Sequence, residues 1–168
     1  MKAEPLHKII PNVIDRMPEL IQATKDTTYM TVFSGIFSLL FGLIFGITLI
    51  VTRKGGIMEN KGIYWVLDKI TNLFRSIPFL ILLIALIPFT RISVCVAIGR
   101  KVLILPLIVG TTPFFTRQIE TALAQLDEGL IEAAQSMGCS SFEIIFRVYL
   151  RESIPALTRA TAITFISL

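Results

Sequence analysis

Long apolar runs alternate with short charged segments along the chain. The first run, from Thr27 to Thr52, contains no charged residue. As a helix it would extend about 39 Å, more than the roughly 30 Å apolar core of a bilayer. We therefore predict a first membrane-spanning helix at about residues 29–51. Later apolar runs predict three more spans, at about residues 70–90, 101–116 and 153–168.

Glycine and proline residues interrupt these runs. Gly42 and Gly46 form a GxxxG pair in the first span, a pattern that admits a close neighbouring helix but is also common by chance. Pro78 and Pro88 predict kinks in the second span. The third span is expected to be irregular and to continue as an amphipathic helix over residues 117–126, because it contains Pro106, Gly110 and Pro113.

The two ends of the chain differ from its middle. Residues 1–26 form a polar, amphipathic leader in which Pro11 and Pro18 would limit any surface helix to about two turns; a solvated extension fits equally well. Residues 27–168 form the membrane domain. After Arg159 the last apolar run would extend only about 14 Å, under half a bilayer. We therefore expect a chain that is truncated within its fourth span.

Composition places the chain in a membrane. Of its 168 residues, 54% are hydrophobic and 17% are charged, and the mean hydropathy is +0.75; soluble domains carry about 25% charged residues. The net charge is +4, and most basic residues flank the apolar runs, which indicates contact with membrane lipid and no nucleic-acid partner. Basic residues divide evenly between the two sides, so charge leaves the orientation open. Arg75, inside the second span, is expected to snorkel or pair at the interface.

No pattern of catalytic or metal-binding residues is present. Cys95, Cys139 and His7 have no ligand-like spacing, and the spans hold no cluster of histidine and carboxylate side chains. We therefore expect no metal site, no cofactor and no enzyme embedded in the membrane. The chain also lacks the glycine-rich P-loop motif, so any ATP would be bound by a separate partner.

A polar insert, residues 129–152, separates the third and fourth spans. It predicts a helix over 130–137, a break at Gly138, and a second helix over 141–150 that starts with a capping box formed by Ser140 and Glu143. An apolar stripe follows the second helix at helical spacing, formed by Phe142, Ile145, Phe146 and Tyr149. The stripe would fill a groove on a partner, or pack on its own membrane domain or the bilayer; the pattern leaves these alternatives open.

Three motifs carry a family resemblance. Glu132, Ala133 and Ala134, with Gly138 four residues later, resemble the EAA motif of the permease subunits of ABC importers. GLIEAAQSMG at 129–138, FRSIPF at 74–79 and IPFTR at 87–91 are most similar to the methionine-uptake members of that family. The resemblance covers about residues 28–168.

The resemblance implies an all-α, multi-pass permease of the type I ABC-importer fold in the bacterial plasma membrane. Its implied partners are a dimer of ABC ATPase subunits, a second permease copy and a substrate-binding lipoprotein or periplasmic protein. The leader would lie outside and the insert inside, where Glu132, Ala133, Ala134 and Gly138 would shape the bend of a coupling loop. The stripe at Phe142, Ile145, Phe146 and Tyr149 would contact the ATPase.

The implied substrate is D- or L-methionine. Another amino acid or small solute, or a truncated remnant without transport, are the alternatives. Arg151 stands where the family usually has proline, which affects how the coupling loop joins the next span. The resemblance identifies no substrate-contacting residue, because much of the family's translocation path would lie beyond Leu168.

Overall fold

The computed structural model describes residues 16–94 and 100–167, and every regular element within them is helical. We number the helices in chain order. The first four are α1 (Met17–Thr52), α2 (Lys61–Ser76), α3 (Phe79–Val94) and α4 (Arg100–Ala124). Helix α5 is Glu128–Ser136 and α7 is Ile154–Ser167. Helix α6 consists of three consecutive pieces, α-helical Ser141–Glu143, π-helical Ile144–Tyr149 and α-helical Leu150–Glu152.

Helix α1 begins well before the predicted first span. It starts at Met17 and extends for about 54 Å at 1.5 Å per residue. Pro18 lies in the first turn, where its missing N–H and fixed φ are tolerated. The leader after Met17 is therefore part of α1, and Pro18 starts the helix instead of limiting it. The earlier part of the leader, with Pro11, lies outside the described residues.

Small side chains allow α1 to pack closely on α4. A Cβ atom built on Gly42 would lie 2.8 Å from Phe115 Cβ, and one on Gly46 would lie 2.7 Å from Ile119 Cγ2. Both distances are shorter than a van der Waals contact, so only glycine lets the two helices approach this far. The GxxxG interpretation is confirmed.

The predicted second span consists of two helices. Helices α2 and α3 meet at an angle of 104°. The cause is Pro78, which disfavours helical backbone at the preceding residue; Ile77 is extended at φ −84° and ψ 124°. Pro78 therefore ends a helix, where a kink had been expected, whereas Pro88 lies inside α3.

Charged side chains tie α2 to α4. The Arg117 guanidinium pairs with Asp68 of α2 and lies 2.5 Å from Glu120 Oε2 of its own helix. Its Nη2 also donates to Asn72 Oδ1 at 3.0 Å. Arg75, in the last turn of α2, lines the open cleft beside this network. The amphipathic helix that continues the third span therefore has a polar face that α2 covers.

Length and composition allow two of the described helices to cross a membrane, Met17–Thr52 and Val102–Ala124. The bent pair α2 and α3 would make a third span if counted as one. Ile154–Ile166 is a shorter apolar helix. Helix α4 is continuous from the predicted third span into the amphipathic extension and ends at Ala124, two residues before the predicted end.

Candidate functional site: the elbow between α4 and α7

Residues 128–152, which we call the elbow, join α4 to α7 through α5, a tight turn and α6. Asp127 caps the start of α5, and its side chain accepts a hydrogen bond from the Gly129 N–H at 2.9 Å. The charge of this carboxylate is also favourable at a helix N-terminus. A local polar contact therefore sets where the elbow leaves α4.

Gly138 ends α5 in a left-handed conformation, with φ +79°. The Gly138 N–H donates to Gln135 O at 2.9 Å, and the Cys139 N–H donates to Ala134 O at 3.1 Å. These two bonds form a Schellman motif, which satisfies carbonyls at the helix end and reverses the chain. A Cβ atom on Gly138 would have no neighbour within 4 Å, so glycine is favoured by backbone conformation and not by lack of space.

The capping box at the start of α6 is confirmed. The Ser140 N–H donates to Glu143 Oε2 at 2.9 Å, and the Glu143 N–H donates to Ser140 Oγ at 3.4 Å. The hydrogen bonds from the Ser140 backbone and hydroxyl favour the ionised carboxylate and lower the pKa of Glu143, and the positive charge of Arg147 acts in the same direction. The start of α6 is therefore defined by contacts within one helical turn.

The centre of α6 is a π-helix, in which the Leu150 N–H donates to Ile145 O, five residues back. Ile144, Ile145 and Tyr149 point inward and are 2%, 8% and 2% exposed. Phe142 and Phe146 point outward and are 67% and 66% exposed. The predicted stripe is thus divided between two faces, so Ile145 and Tyr149 pack on their own chain and are not placed for direct contact with a partner.

The inward face of the elbow joins the main hydrophobic core. From the elbow this core takes Ile131 and Ala134 of α5 together with the three inward residues of α6. The membrane helices contribute the end of α1 and the last turns of α4, namely Ile50, Val51, Phe115, Ile119 and Leu123. Close-packed cores transmit displacement with little compression. The elbow and the adjacent ends of α1 and α4 therefore share one continuous apolar core.

An ion pair reinforces this connection. Arg53 Nη2, just after α1, lies 3.5 Å from Glu128 Oε1 at the start of α5. Both charges also act on Tyr149. Burial of the side chain raises the pKa of Tyr149, the positive charge of Arg53 lowers it, and the negative charge of Glu128 raises it further. Exposed pairs of this kind contribute about 0–1 kcal/mol, so the apolar core carries most of the connection.

The EAA-motif residues take different positions. Glu132 and Ala133 are exposed, whereas Ala134 is 3% exposed and belongs to the core. Sequence reasoning missed Leu130 and Met137, apolar residues that are 46% and 76% exposed on the elbow. Met137 could have been identified from the sequence, because it is an apolar residue directly before the glycine that ends α5, in an otherwise polar insert. With Phe142 and Phe146, these side chains form the exposed apolar residues of the elbow.

This surface is suited to docking a partner. Exposed apolar side chains rimmed by polar residues mark interaction sites, and Glu132, Glu143 and Arg147 supply exposed polar groups here. Within residues 16–94 and 100–167, no group of three or more histidine, cysteine or carboxylate side chains is placed to hold a metal ion. The exposed apolar side chains of the elbow favour contact with another protein.

Residues 38–168 match the family model described as "Binding-protein-dependent transport system inner membrane component". The chain belongs to this family. The family resemblance that the three motifs carried is confirmed, and with it the location in the inner membrane as a multi-pass component of an ABC transporter.

Curated relatives and solved structures agree with this assignment. The D-methionine transport system permease protein MetI of Salmonella typhimurium is 46% identical over 149 residues, which are 89% of this chain and 69% of the relative. The methionine import system permease protein MetP of Bacillus subtilis is 48% identical over 161 residues, 96% of this chain and 72% of the relative. The chain thus spans about 70% of the length of these permeases.

A solved structure of the MetNI methionine ABC transporter, in an inward-facing conformation, superposes with a TM-score of 0.88 at 43% identity. The match covers 91% of this chain and 71% of that chain. A second inward-facing structure of the same transporter gives a TM-score of 0.87 at 44% identity. The predicted all-α permease fold is therefore confirmed.

Proposed function

We propose that this permease is the transmembrane subunit of an ATP-driven importer for methionine. The proposal rests on relatives that are named as methionine permeases at 46% and 48% identity and on structural similarity to a methionine ABC transporter. These comparisons favour methionine over another small solute. They also favour a transport role over a remnant without activity, because the identity extends through the elbow.

The chain would act as a conduit, and a separate ABC ATPase would hydrolyse ATP. Closure of an ATPase dimer would push or pull the exposed residues of the elbow, with Phe142 and Phe146 as the direct contacts. Ile145 and Tyr149 would position α6 against the membrane helices. Glu132, Ala133, Ala134 and Gly138 would maintain the shape of the bend between α5 and α6.

The observation that carries this mechanism is the shared core beneath the elbow. The inward face of α6 and the ends of α1 and α4 bury the same apolar cluster. A displacement of α6 would therefore be transmitted to both membrane helices as a rigid-body movement, a common route of conformational switching. A loosely attached loop would absorb the same displacement without moving the spans.

The proposed assembly contains two permease copies, two ATPase subunits and an external substrate-binding protein. In this arrangement the start of α1 lies outside and the elbow lies in the cytoplasm. No cofactor is proposed for the permease itself, since ATP would be bound by the partner subunit.

Site-directed crosslinking tests the coupling role. The native cysteines Cys95 and Cys139 are replaced by serine, and Phe146→Cys is introduced for crosslinking in intact cells that take up labelled methionine. We expect a crosslink from position 146 to the ATPase. Ile84→Cys, which places a thiol on an equally exposed side chain of α3 (68%), is the matched control and should give no such product.

Two results would count against the proposal. Equal crosslinking from both positions, or none from position 146 in cells with full uptake, would remove the elbow as the docking site. Unchanged methionine uptake in cells from which this chain has been deleted, with no second methionine importer present, would reject the transport function itself.

A further inference from the structure

A polar groove runs between α4 and α7 on the side of the molecule next to the elbow. Each helix contributes residues at positions i, i+3, i+4 and i+7, which lie on one helical face. The lining residues are Gln118, Thr121 and Ala122 of α4, Gln125 directly after it, and Ala156, Arg159, Ala160 and Ile163 of α7. The alanines keep the floor of the groove open, and its volume is about 140 Å³.

Arg159 is the charged group of this groove. Its Nε donates to Pro155 O at 3.1 Å, which holds the guanidinium on the face of α7 that borders α4. Among residues 16–94 and 100–167, no carboxylate lies within ion-pair distance of it, and the groove has no acidic lining residue. The groove therefore has a positive charge and free guanidinium donors.

Such a group is costly in hydrocarbon. A charged side chain at the centre of a membrane helix costs about 2.5–3.5 kcal/mol, and it is usually found facing a water-filled cavity or a partner. Arg159 lies about 7.5 Å along α7 from Ile154, at 1.5 Å per residue. Because the elbow ends where α7 begins, the groove lies near the end of α7 that faces the cytoplasm in the proposed orientation.

The polar groups match the two charges of a free amino acid. A guanidinium forms paired hydrogen bonds with a carboxylate. The side-chain oxygens of Gln118 and Gln125 can accept from an ammonium group. The Thr121 hydroxyl donates a hydrogen bond to Arg117 O at 2.8 Å. Its oxygen lone pairs therefore remain available as acceptors on the same face.

We propose that this groove binds the carboxylate and ammonium groups of an α-amino acid as it leaves the transporter, with Arg159 as the carboxylate ligand. This inference rests on the proposed function and adds residues that contact the substrate. The ligand class is a zwitterionic amino acid, because a simple cation would be repelled by Arg159 and a fully apolar solute would leave the polar groups unpaired.

Protection of an engineered thiol tests the inference. The transporter complex, with Cys95 and Cys139 replaced by serine and Thr121→Cys introduced, is reconstituted in liposomes with the ATPase side accessible. A membrane-impermeant thiosulfonate should label position 121, since thiols react as thiolates in water. Methionine should slow the labelling severalfold, whereas methioninol, which lacks the carboxylate, should not.

Two controls make the result specific to the groove. Adding Arg159→Gln should abolish protection by methionine while labelling continues. Ile166→Cys, on an 85% exposed side chain of α7 that does not line the groove, should remain unlabelled. Gln125→Cys serves as a second probe of the same groove if the Thr121 variant does not assemble.

The inference is overturned if neither groove position is labelled, as expected for a groove covered by lipid or by a second copy. It is also overturned if methioninol protects as well as methionine, or if protection persists without Arg159. ATP-dependent methionine uptake is measured in parallel in intact cells that carry the unmodified complex. Uptake without protection rejects only the groove, whereas absence of uptake rejects the proposed function.

Discussion

Two aromatic residues of α6 provide a direct test of how the elbow works. Tyr149 is 2% exposed within the shared core, and Phe146, three residues earlier, is 66% exposed. Removing a buried aromatic side chain costs about 3–5 kcal/mol, because transfer energy is lost and a cavity remains. Exposed positions usually change stability by less than about 0.5 kcal/mol. We therefore expect Tyr149→Ala to be strongly destabilising and Phe146→Ala to be nearly neutral for the permease alone.

Thermal unfolding of the purified permease measures the loss of stability in each variant. The fluorescence of Trp65 reports the midpoint of unfolding. A loss of 1 kcal/mol corresponds to about 2–4 °C in a chain of this size. ATPase co-purification and methionine uptake measure docking and coupling. In these assays we expect Phe146→Ala to be impaired despite its normal stability. Equal destabilisation by both substitutions, or normal coupling in Phe146→Ala, would refute the division of α6 into a buried face and a docking face.

Other substitutions test the backbone features of the fold. Gly138→Ala should cost about 1–2 kcal/mol through left-handed strain, and Gly138→Asn should cost less; thermal unfolding distinguishes them, and equal values would argue against strain. Glu143 has a lowered pKa, so its contribution to the elbow is complete above its ordinary value of 4.5 and is lost as the pH falls through the lowered value. The protection factor of the Ser140 amide, which compares its hydrogen-exchange rate with the intrinsic rate at the same pH, should therefore fall in acid, and Glu143→Gln should remove that pH dependence; an unchanged acid response in that variant would contradict the assignment. Gly46→Ala should cost about 1–3 kcal/mol by forcing α1 from α4. Gly62→Ala, where the nearest atom would be 3.4 Å away, is the matched control in the same unfolding assay, and a similar loss in both would exclude steric contact as the cause.

Local signals predicted the local features of the elbow. The S-x-x-E pattern at Ser140 predicted the capping box, since both partners lie within one turn. Gly138 predicted the helix end, because a residue without a Cβ atom adopts a positive φ readily. The motif at Glu132, Ala133 and Ala134 identified the family without any tertiary information.

One prediction was wrong because it depended on neighbouring elements, and another located a bend without giving its size. The stripe from Phe142 to Tyr149 was treated as one face of an α-helix, but its π-helical centre and the core beneath it divide the residues between inside and outside. The kink predicted at Pro78 is a bend of 104° between two separate helices, because proline disfavours helical backbone at the preceding residue, Ile77.

Hydrophobic runs, charge-free segments and short motifs were therefore enough to identify a membrane permease with a polar insert, because each of these properties resides in residues that are adjacent in the chain. The position of the insert on the membrane helices and the burial of Tyr149 depended on contacts between residues far apart in sequence. So did the groove around Arg159. Such contacts depend on which helix faces meet when the chain packs, and that choice minimises exposed apolar surface over the whole molecule.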